Sequence, residues 1–158
     1  MKKILITESL FILLLAAVLI IVLGKKPVND VTVKEAETVL KEASADVNFE
    51  NYDALKLRRD FSLDAPDYEG FLYYGQPDTM EIRTIVLIKC RDEKQTESVV
   101  RAFETYIAEQ KNAFEGYGAS QMKLLNEAEI YEKGPYAALF ISENAREWKS
   151  ALKQITEG

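Results

Sequence analysis

Residues 10–23 read Leu-Phe-Ile-Leu-Leu-Leu-Ala-Ala-Val-Leu-Ile-Ile-Val-Leu, without one charged or polar side chain. A helix rises about 1.5 Å per residue, so roughly 20 residues cross a hydrocarbon layer of about 30 Å. Residues 10–23 fall short of that length. Adding Ile4, Leu5, Ile6, Thr7, Glu8 and Ser9 supplies it and sets Glu8 near one interface, where a carboxyl can snorkel or take a proton. Lys2 and Lys3 precede the stretch, and Gly24-Lys25-Lys26 closes it. Three readings compete: an uncleaved anchor, a cleavable signal peptide and a buried core helix. A cut after Gly24 would use Val22-Leu23-Gly24, a poor small-x-small site with Lys25 just beyond it. The anchor is the favoured reading. It places Leu10, Phe11, Ile12, Leu13, Leu14, Leu15, Val18, Leu19, Ile20, Ile21, Val22 and Leu23 in a bilayer. Residues 1–24 then form the anchor, 25–31 a linker containing Pro27, and 32–158 a single soluble domain. No Cys closes the stretch, so lipid attachment at that point is excluded.

The side of the membrane follows less directly. Lysines flank the stretch on both ends, and Lys34 and Lys41 lie near its C-terminal side, so the positive-inside count does not favour an external domain. The layout nevertheless begins like an export signal. The expectation is a single-pass protein whose domain lies outside the cytoplasm.

Of 20 basic and 26 acidic residues, Lys2, Lys3 and Glu8 fall within residues 1–24, leaving 18 against 25 and a net charge of −7. Such a surface repels nucleic acid phosphates and anionic headgroups, so nucleic acid is not an expected partner. The remaining length suits one domain with one core. Cys90 is the sole cysteine, which excludes an intrachain disulfide; at the end of an apolar strand it reads as a small buried hydrophobe rather than a reactive thiol.

Thr32 followed by Glu35 is a capping-box signature, and Ala36, Val39, Leu40 and Ala43 then recur at helical spacing to about Ser44. After a break at Asp46-Val47-Asn48, Asn51 is the expected N-cap of a short helix carrying Leu55 and Leu57 and ending near Asp60. Asp64-Ala65-Pro66-Asp67 is a turn by composition. Residues 68–74, rich in aromatics, and residues 81–90 read as strands. In the second, Ile85-Val86-Leu87-Ile88 points to burial on both faces or a central position. Asp92 with Gln95 caps the longest helix, with Val99, Val100, Phe103, Tyr106, Ile107 and Phe114 in one stripe and Gly116 or Gly118 ending it. Ser120 is expected to open a further turn through Met122 and Leu125. Residues 129–133 and 136–142 flank Gly134-Pro135 as a hairpin, and Asn144 with Glu147 caps a last helix burying Ala145, Trp148, Leu152 and Ile155. The expected fold is α+β, in the order α-α-β-β-α-β-β-α after the anchor. Two hairpins and two long amphipathic helices imply a mostly antiparallel four-stranded sheet with helices packed on one face.

Several of these segments carry a resemblance. Phe61-Ser62-Leu63-Asp64 forms its first match, and Met80-Glu81-Ile82 leading into Ile85-Val86-Leu87-Ile88-Lys89 the second. The helix ending around Gln110, Phe114 and Tyr117 follows, and Gly134-Pro135-Tyr136 with Leu139-Phe140-Ile141 closes the set. Over about residues 50–156 the chain resembles a bacterial family of extracytoplasmic domains of unknown function with a signal or lipoprotein-type N-terminus. The resemblance implies fold and placement, and no reaction. The chain departs from the lipoprotein members in lacking the lipid-bearing Cys.

With no His, Ser-His-Asp triads, Cys-His pairs and most zinc sites are excluded. No Gly-rich phosphate loop or dinucleotide fingerprint occurs. Asp60, Asp64, Asp67 and Glu69 are closely spaced oxygen ligands of a kind that hold Ca²⁺, but they miss the loop pattern for it, and capping explains the aspartates. Arg58-Arg59 reads as a helix-end pair meeting carbonyls and nearby carboxylates rather than an anion site. Phe71, Tyr73 and Tyr74 are the candidate ligand-binding residues, an aromatic platform for sugar rings or a peptide. In a strand, Phe71 and Tyr73 share the face opposite Leu72 and Tyr74, so one pair is core and the other is free to be exposed. No catalytic residue, cofactor or metal is assigned. The expected function is a membrane-tethered, non-catalytic module that binds an envelope protein or glycan. The alternatives are a cell-envelope hydrolase using a carboxylate pair and a structural or assembly subunit.

Overall fold

A computed structural model describes residues 11–16, 18, 28–45, 47–78 and 80–158. The strongest strand-forming segments lie at its centre. β3 (Thr84–Lys89) and β5 (Tyr136–Ile141) are the middle strands of a five-stranded, wholly antiparallel sheet of order β1-β2-β3-β5-β4. β2 (Gly70–Gly75) and the two-residue β1 (Glu50–Asn51) lie on one side, and β4 (Glu129–Lys133) forms the other edge. Every residue of β5 and the first five of β3 are buried. Such continuous apolar runs need cover on both faces, and both faces have it.

Five helices supply the cover: α1 (Val33–Ala43), α2 (Ala54–Phe61), α3 (Glu93–Phe114), α4 (Ala119–Asn126) and α5 (Ala145–Glu157), with a 3₁₀ turn at Ala65–Asp67. One core joins Tyr73, Val86, Ile88, Ala137 and Leu139 of the sheet to Leu57 and Phe61 of α2, Val99 and Phe103 of α3, and Leu125 of α4. The alternate residues Leu72, Tyr74, Ile85, Leu87 and Phe140 meet Ala36 and Leu40 of α1 and Trp148 and Leu152 of α5. The expectation of a four-stranded sheet with helices on one face is therefore corrected twice. Helices flank both faces, because residues 85–88 of β3 and all of β5 put apolar or aromatic side chains on both sides of the sheet. A fifth strand is added by β1, whose Glu50 and Asn51 pair with Gly75 and Tyr74 through the backbone alone.

Local signals explain most element boundaries. Thr32 and Glu35 form a complete capping box on α1. Asp92 Oδ1 accepts from Gln95 N–H at 2.8 Å and opens α3. The cap of α2 is Asp53, not Asn51: its carboxylate accepts from Lys56 N–H at 2.9 Å, while Asn51 is spent in β1. Asn144 sits at the N-cap position of α5 without a side-chain cap bond; Ser142 Oγ instead accepts from its N–H at 3.1 Å. The β4–β5 turn uses Gly134 at φ +53°, followed by Pro135, whose ring holds φ negative.

Phe11, Ile12, Leu13, Leu14, Leu15, Ala16 and Val18 are helical, and their apolar side chains stand exposed, Phe11 at 66%. Among the described residues no helix is long and apolar enough to cross a membrane. Leu10, Leu19, Ile20, Ile21, Val22 and Leu23 lie outside the described residues, as do Lys25, Lys26 and Pro27 of the linker. The rest of the linker is built into the domain. Asn29 N–H donates to Thr156 O at 2.8 Å and its amide to Ile155 O at 3.0 Å. Val31 is buried, and its N–H and C=O both bond the Tyr136 hydroxyl.

Candidate functional site

An open cleft of about 880 Å³ lies where α2 and α3 meet the β1–β2 edge. β1 places Glu50 and Asn51 on its rim, β2 contributes Tyr73 and Gly75, and the segment after β2 brings Gln76, Pro77 and Asp78. One turn of α2 separates Lys56 from Asp60, so both point to the same side and form an ion pair. The Tyr73 hydroxyl donates to Asp60 Oδ2 at 2.6 Å. The Lys56 ammonium also lies over two aromatic faces, 5.1 Å from the Tyr52 ring centroid and 5.8 Å from that of Tyr73. Tyr52 stacks edge-on against Tyr73, with centroids 5.0 Å apart, and its hydroxyl donates to Gln76 O at 2.6 Å. Tyr106 of α3 closes the wall.

The three phenols are held protonated. Burial pushes Tyr73 well above the usual phenol range, helped by Tyr106 and by the bond to Asp60. Burial, with the Asp60 charge second, lifts Tyr106 to about 12. Tyr52 is raised by burial and then by Glu50. At neutral pH the site thus presents neutral aromatic walls and hydroxyl donors, and offers no phenolate base.

Charge in the cleft is lopsided. Glu50, Asp53, Asp60, Asp78 and Glu81 set five carboxylates against Lys56 and Arg59 in the lining, Glu81 being paired with Arg83 beside it. One polar atom has nothing to bond: Gln76 Oε1 is buried without a hydrogen-bond partner among the described residues. The exposed side chain of Leu55, at 75%, and Pro77 give the rim two apolar surfaces.

The aromatic trio is split by the sheet. Tyr73 and half-buried Phe71 face the α2–α3 layer, and only Tyr73 lines the cleft. Tyr74 lies on the other face, bonded through its hydroxyl to Glu37 and covered by Phe49 and Lys41. The four oxygen-bearing residues also take separate partners: Asp60 binds Lys56 and Tyr73, Asp64 binds Arg58 at 3.2 Å, and Glu69 binds Lys89 at 3.3 Å. The Asp67 carbonyl accepts from the Gln95 amide at 3.0 Å. Arg59 meets Asp60 at 3.4 Å. Among the described residues no three acidic or thiol side chains converge as a metal site. Cys90 is fully buried, and burial pushes its thiol up. Sequence patterns point to neither Tyr52 nor Gln76, and Tyr106 reads there as core. The i,i+4 spacing of Lys56 and Asp60 is the one local signal for the cluster.

A second concavity of about 740 Å³ lies at the other end of the sheet, around Lys89, Gly134 and Pro135. Lys89, only 12% exposed, bridges Asp30 at 2.5 Å and Glu69. The Asp30 bond holds the lysine's pKa up, and the lysine holds the Asp30 carboxyl down.

The fold defines a small α+β domain, an antiparallel sheet between two helical layers with one polar, tyrosine-walled cleft at its β1–β2 edge. The chain belongs to the family of the domain of unknown function DUF4358, whose model matches residues 41–142. No curated protein and no solved structure matches it.

Proposed function

We propose that this protein is a membrane-tethered, non-catalytic binding module. Its cleft receives a cationic, hydrogen-bond-donating group of a protein or cell-envelope component. The observation that carries the reading is the buried Gln76 Oε1, unpaired among the described residues, in a cleft lined by more carboxylates than cations. A buried acceptor without a donor costs about 1–3 kcal/mol, and a ligand N–H that reaches it recovers that cost. Lys56 over Tyr52 and Tyr73 supports the assignment, since these rings already accommodate an ammonium.

Binding is favoured over hydrolysis because Asp60, the cleft carboxylate held between α2 and the sheet, is taken up by the Lys56 ammonium and the Tyr73 hydroxyl rather than set opposite a second carboxyl. The tether reading rests on the uninterrupted apolar run of residues 10–23 and on the exposed apolar side chains of Phe11, Ile12, Leu13, Leu14 and Leu15. The resemblance to a family of extracytoplasmic domains supports a position outside the cytoplasm.

Two experiments test these readings. The full chain in lipid nanodiscs is titrated calorimetrically with trilysine and with its ε-acetylated form. Binding of trilysine alone, weakened by salt and lost in Gln76→Leu, is the expected result; equal binding of both peptides, or of neither, overturns the ligand class. For placement, an impermeant protease is added to intact cells expressing a C-terminally tagged chain. Tag loss with the remaining N-terminal fragment in the membrane fraction is expected, and a tag cut only after lysis puts the domain in the cytoplasm.

A further inference from the structure

We infer that the domain is held upright on its tether, with the β4–β5 hairpin end facing the bilayer and the tyrosine cleft facing away from it. The cleft's partner is therefore a soluble or envelope component met beyond the membrane surface, not a lipid headgroup. This rests on the tether reading of residues 10–23. The chain leaves that stretch and is fastened to the domain by residue 29. Residues 24–27, four in number, span at most about 14 Å even when fully extended.

The fastening is made at one end of the sheet. Asn29 bonds the last turn of α5 through its N–H and its side-chain amide. Asp30 pairs with Lys89, the last residue of β3. Val31 is bonded on both backbone groups by Tyr136, the first residue of β5. Val28 packs over Gly134, where an added Cβ would lie 3.1 Å from it. The cleft is built at the opposite end, from Gly75, the last residue of β2, and from Gln76, Ile82 and Thr84. Register fixes this polarity: Gly70 pairs with Lys89, and Gly75 with Thr84. A six-residue strand covers roughly 17–20 Å, so that length separates the two ends.

The test uses the full chain in nanodiscs whose lipids carry a headgroup quencher. A fluorophore is attached at Glu132→Cys, an exposed site at the hairpin end, or at Leu55→Cys on the cleft rim; Cys90 is buried and stays unlabelled. Strong quenching at position 132 with fluorescence retained at position 55 is the expected result. Equal quenching at the two positions, or the reverse order, in a chain that copurifies with the discs overturns the orientation alone. A chain recovered outside the discs overturns the tether and the orientation together. Combining Tyr136→Phe with Asn29→Ala loosens the fastening, and the quenching difference shrinks while disc association is unchanged; a difference that persists in full assigns the orientation to something other than these bonds, and so also overturns it.

Discussion

The Tyr136 hydroxyl grips the backbone of Val31 from both sides, accepting its N–H at 2.6 Å and donating to its carbonyl at 2.8 Å. The two residues are 105 positions apart, so this one phenol ties the segment entering the domain to the first residue of a central strand. Replacing it by Tyr136→Phe keeps the ring and strips both partners from a buried peptide. Leaving buried backbone groups unbonded costs about 1–3 kcal/mol each, less wherever water reaches them. The expected outcome is a loss of about 2 kcal/mol in urea unfolding, with faster amide exchange at Val31. Unchanged exchange there would mean that Val28 packing and the Asn29 bonds hold the segment alone.

Lys56, Asp60 and Tyr73 share one carboxylate, so their substitutions should not add. The Asp60 side chain is only 12% exposed and is bonded by both neighbours. Lys56→Met leaves that carboxylate with Tyr73 and the exposed, more distant Arg59 and is expected to cost about 1–2 kcal/mol, discounted because the lysine itself is partly solvated. Tyr73→Phe alone costs about 1 kcal/mol, because the ion pair persists. In the double variant Asp60 keeps only the exposed Arg59 at 3.4 Å, and the cost exceeds the sum by about 1 kcal/mol. Simple additivity in a double-mutant cycle by chemical denaturation would show that solvent already screens the carboxylate.

Gly75 lets the cleft wall close in. A Cβ built at this position would lie 2.5 Å from the Tyr52 ring, closer than any real contact allows. Gly75→Ala therefore swings Tyr52 outward, breaks its bond to the Gln76 carbonyl and unseats its edge contact with Tyr73. Overpacking of this kind costs about 1–3 kcal/mol. The expected signature is that loss of stability with trilysine binding abolished. Stability and binding both at wild-type level would mean that the ring adapts in place.

Features set by neighbours in sequence were legible: the capping box of Thr32 and Glu35, Asp92 at the head of α3, the Gly134-Pro135 hairpin, and the Trp148–Leu152 stripe of α5. That Ile85, Val86, Leu87 and Ile88 lie buried, on both faces or at a central position, was legible too, but the expected fold still set helices on one face only. Which helix covers which face was not, because an amphipathic stripe states that a helix has a buried side without naming its partner. Asn51 and Asp53 offer the same capping chemistry two residues apart, and only the backbone pairing of β1 decides between them. Of the cleft, Tyr73 was singled out in sequence by its aromatic strand. The meeting of Tyr52, Tyr73, Gln76 and Tyr106 was not, since tertiary packing alone brings a β-edge, a post-strand loop and the middle of α3 together.

Acid should unfasten the domain at a defined set of carboxylates. Lys89 lowers Asp30, Lys41 and then Tyr74 lower Glu37, Lys149 lowers Glu129, and Arg83 lowers Glu143. Each folded-state pKa lies below its unfolded value, ordinarily 3.8 for Asp and 4.5 for Glu. The unfolded chain therefore binds protons first as pH falls, and the stability that these groups contribute is present above about pH 5 and lost through and below pH 4. Asp30 joins the entering segment to β3, so its protonation frees residues 28–31 at their Lys89 contact. Thermal unfolding followed from pH 7 to pH 3 should show a plateau down to about pH 5 and then a decline. Asp30→Asn should flatten part of that decline and leave the plateau lower. A decline of equal depth in wild type and Asp30→Asn would assign the acid sensitivity to the glutamates alone.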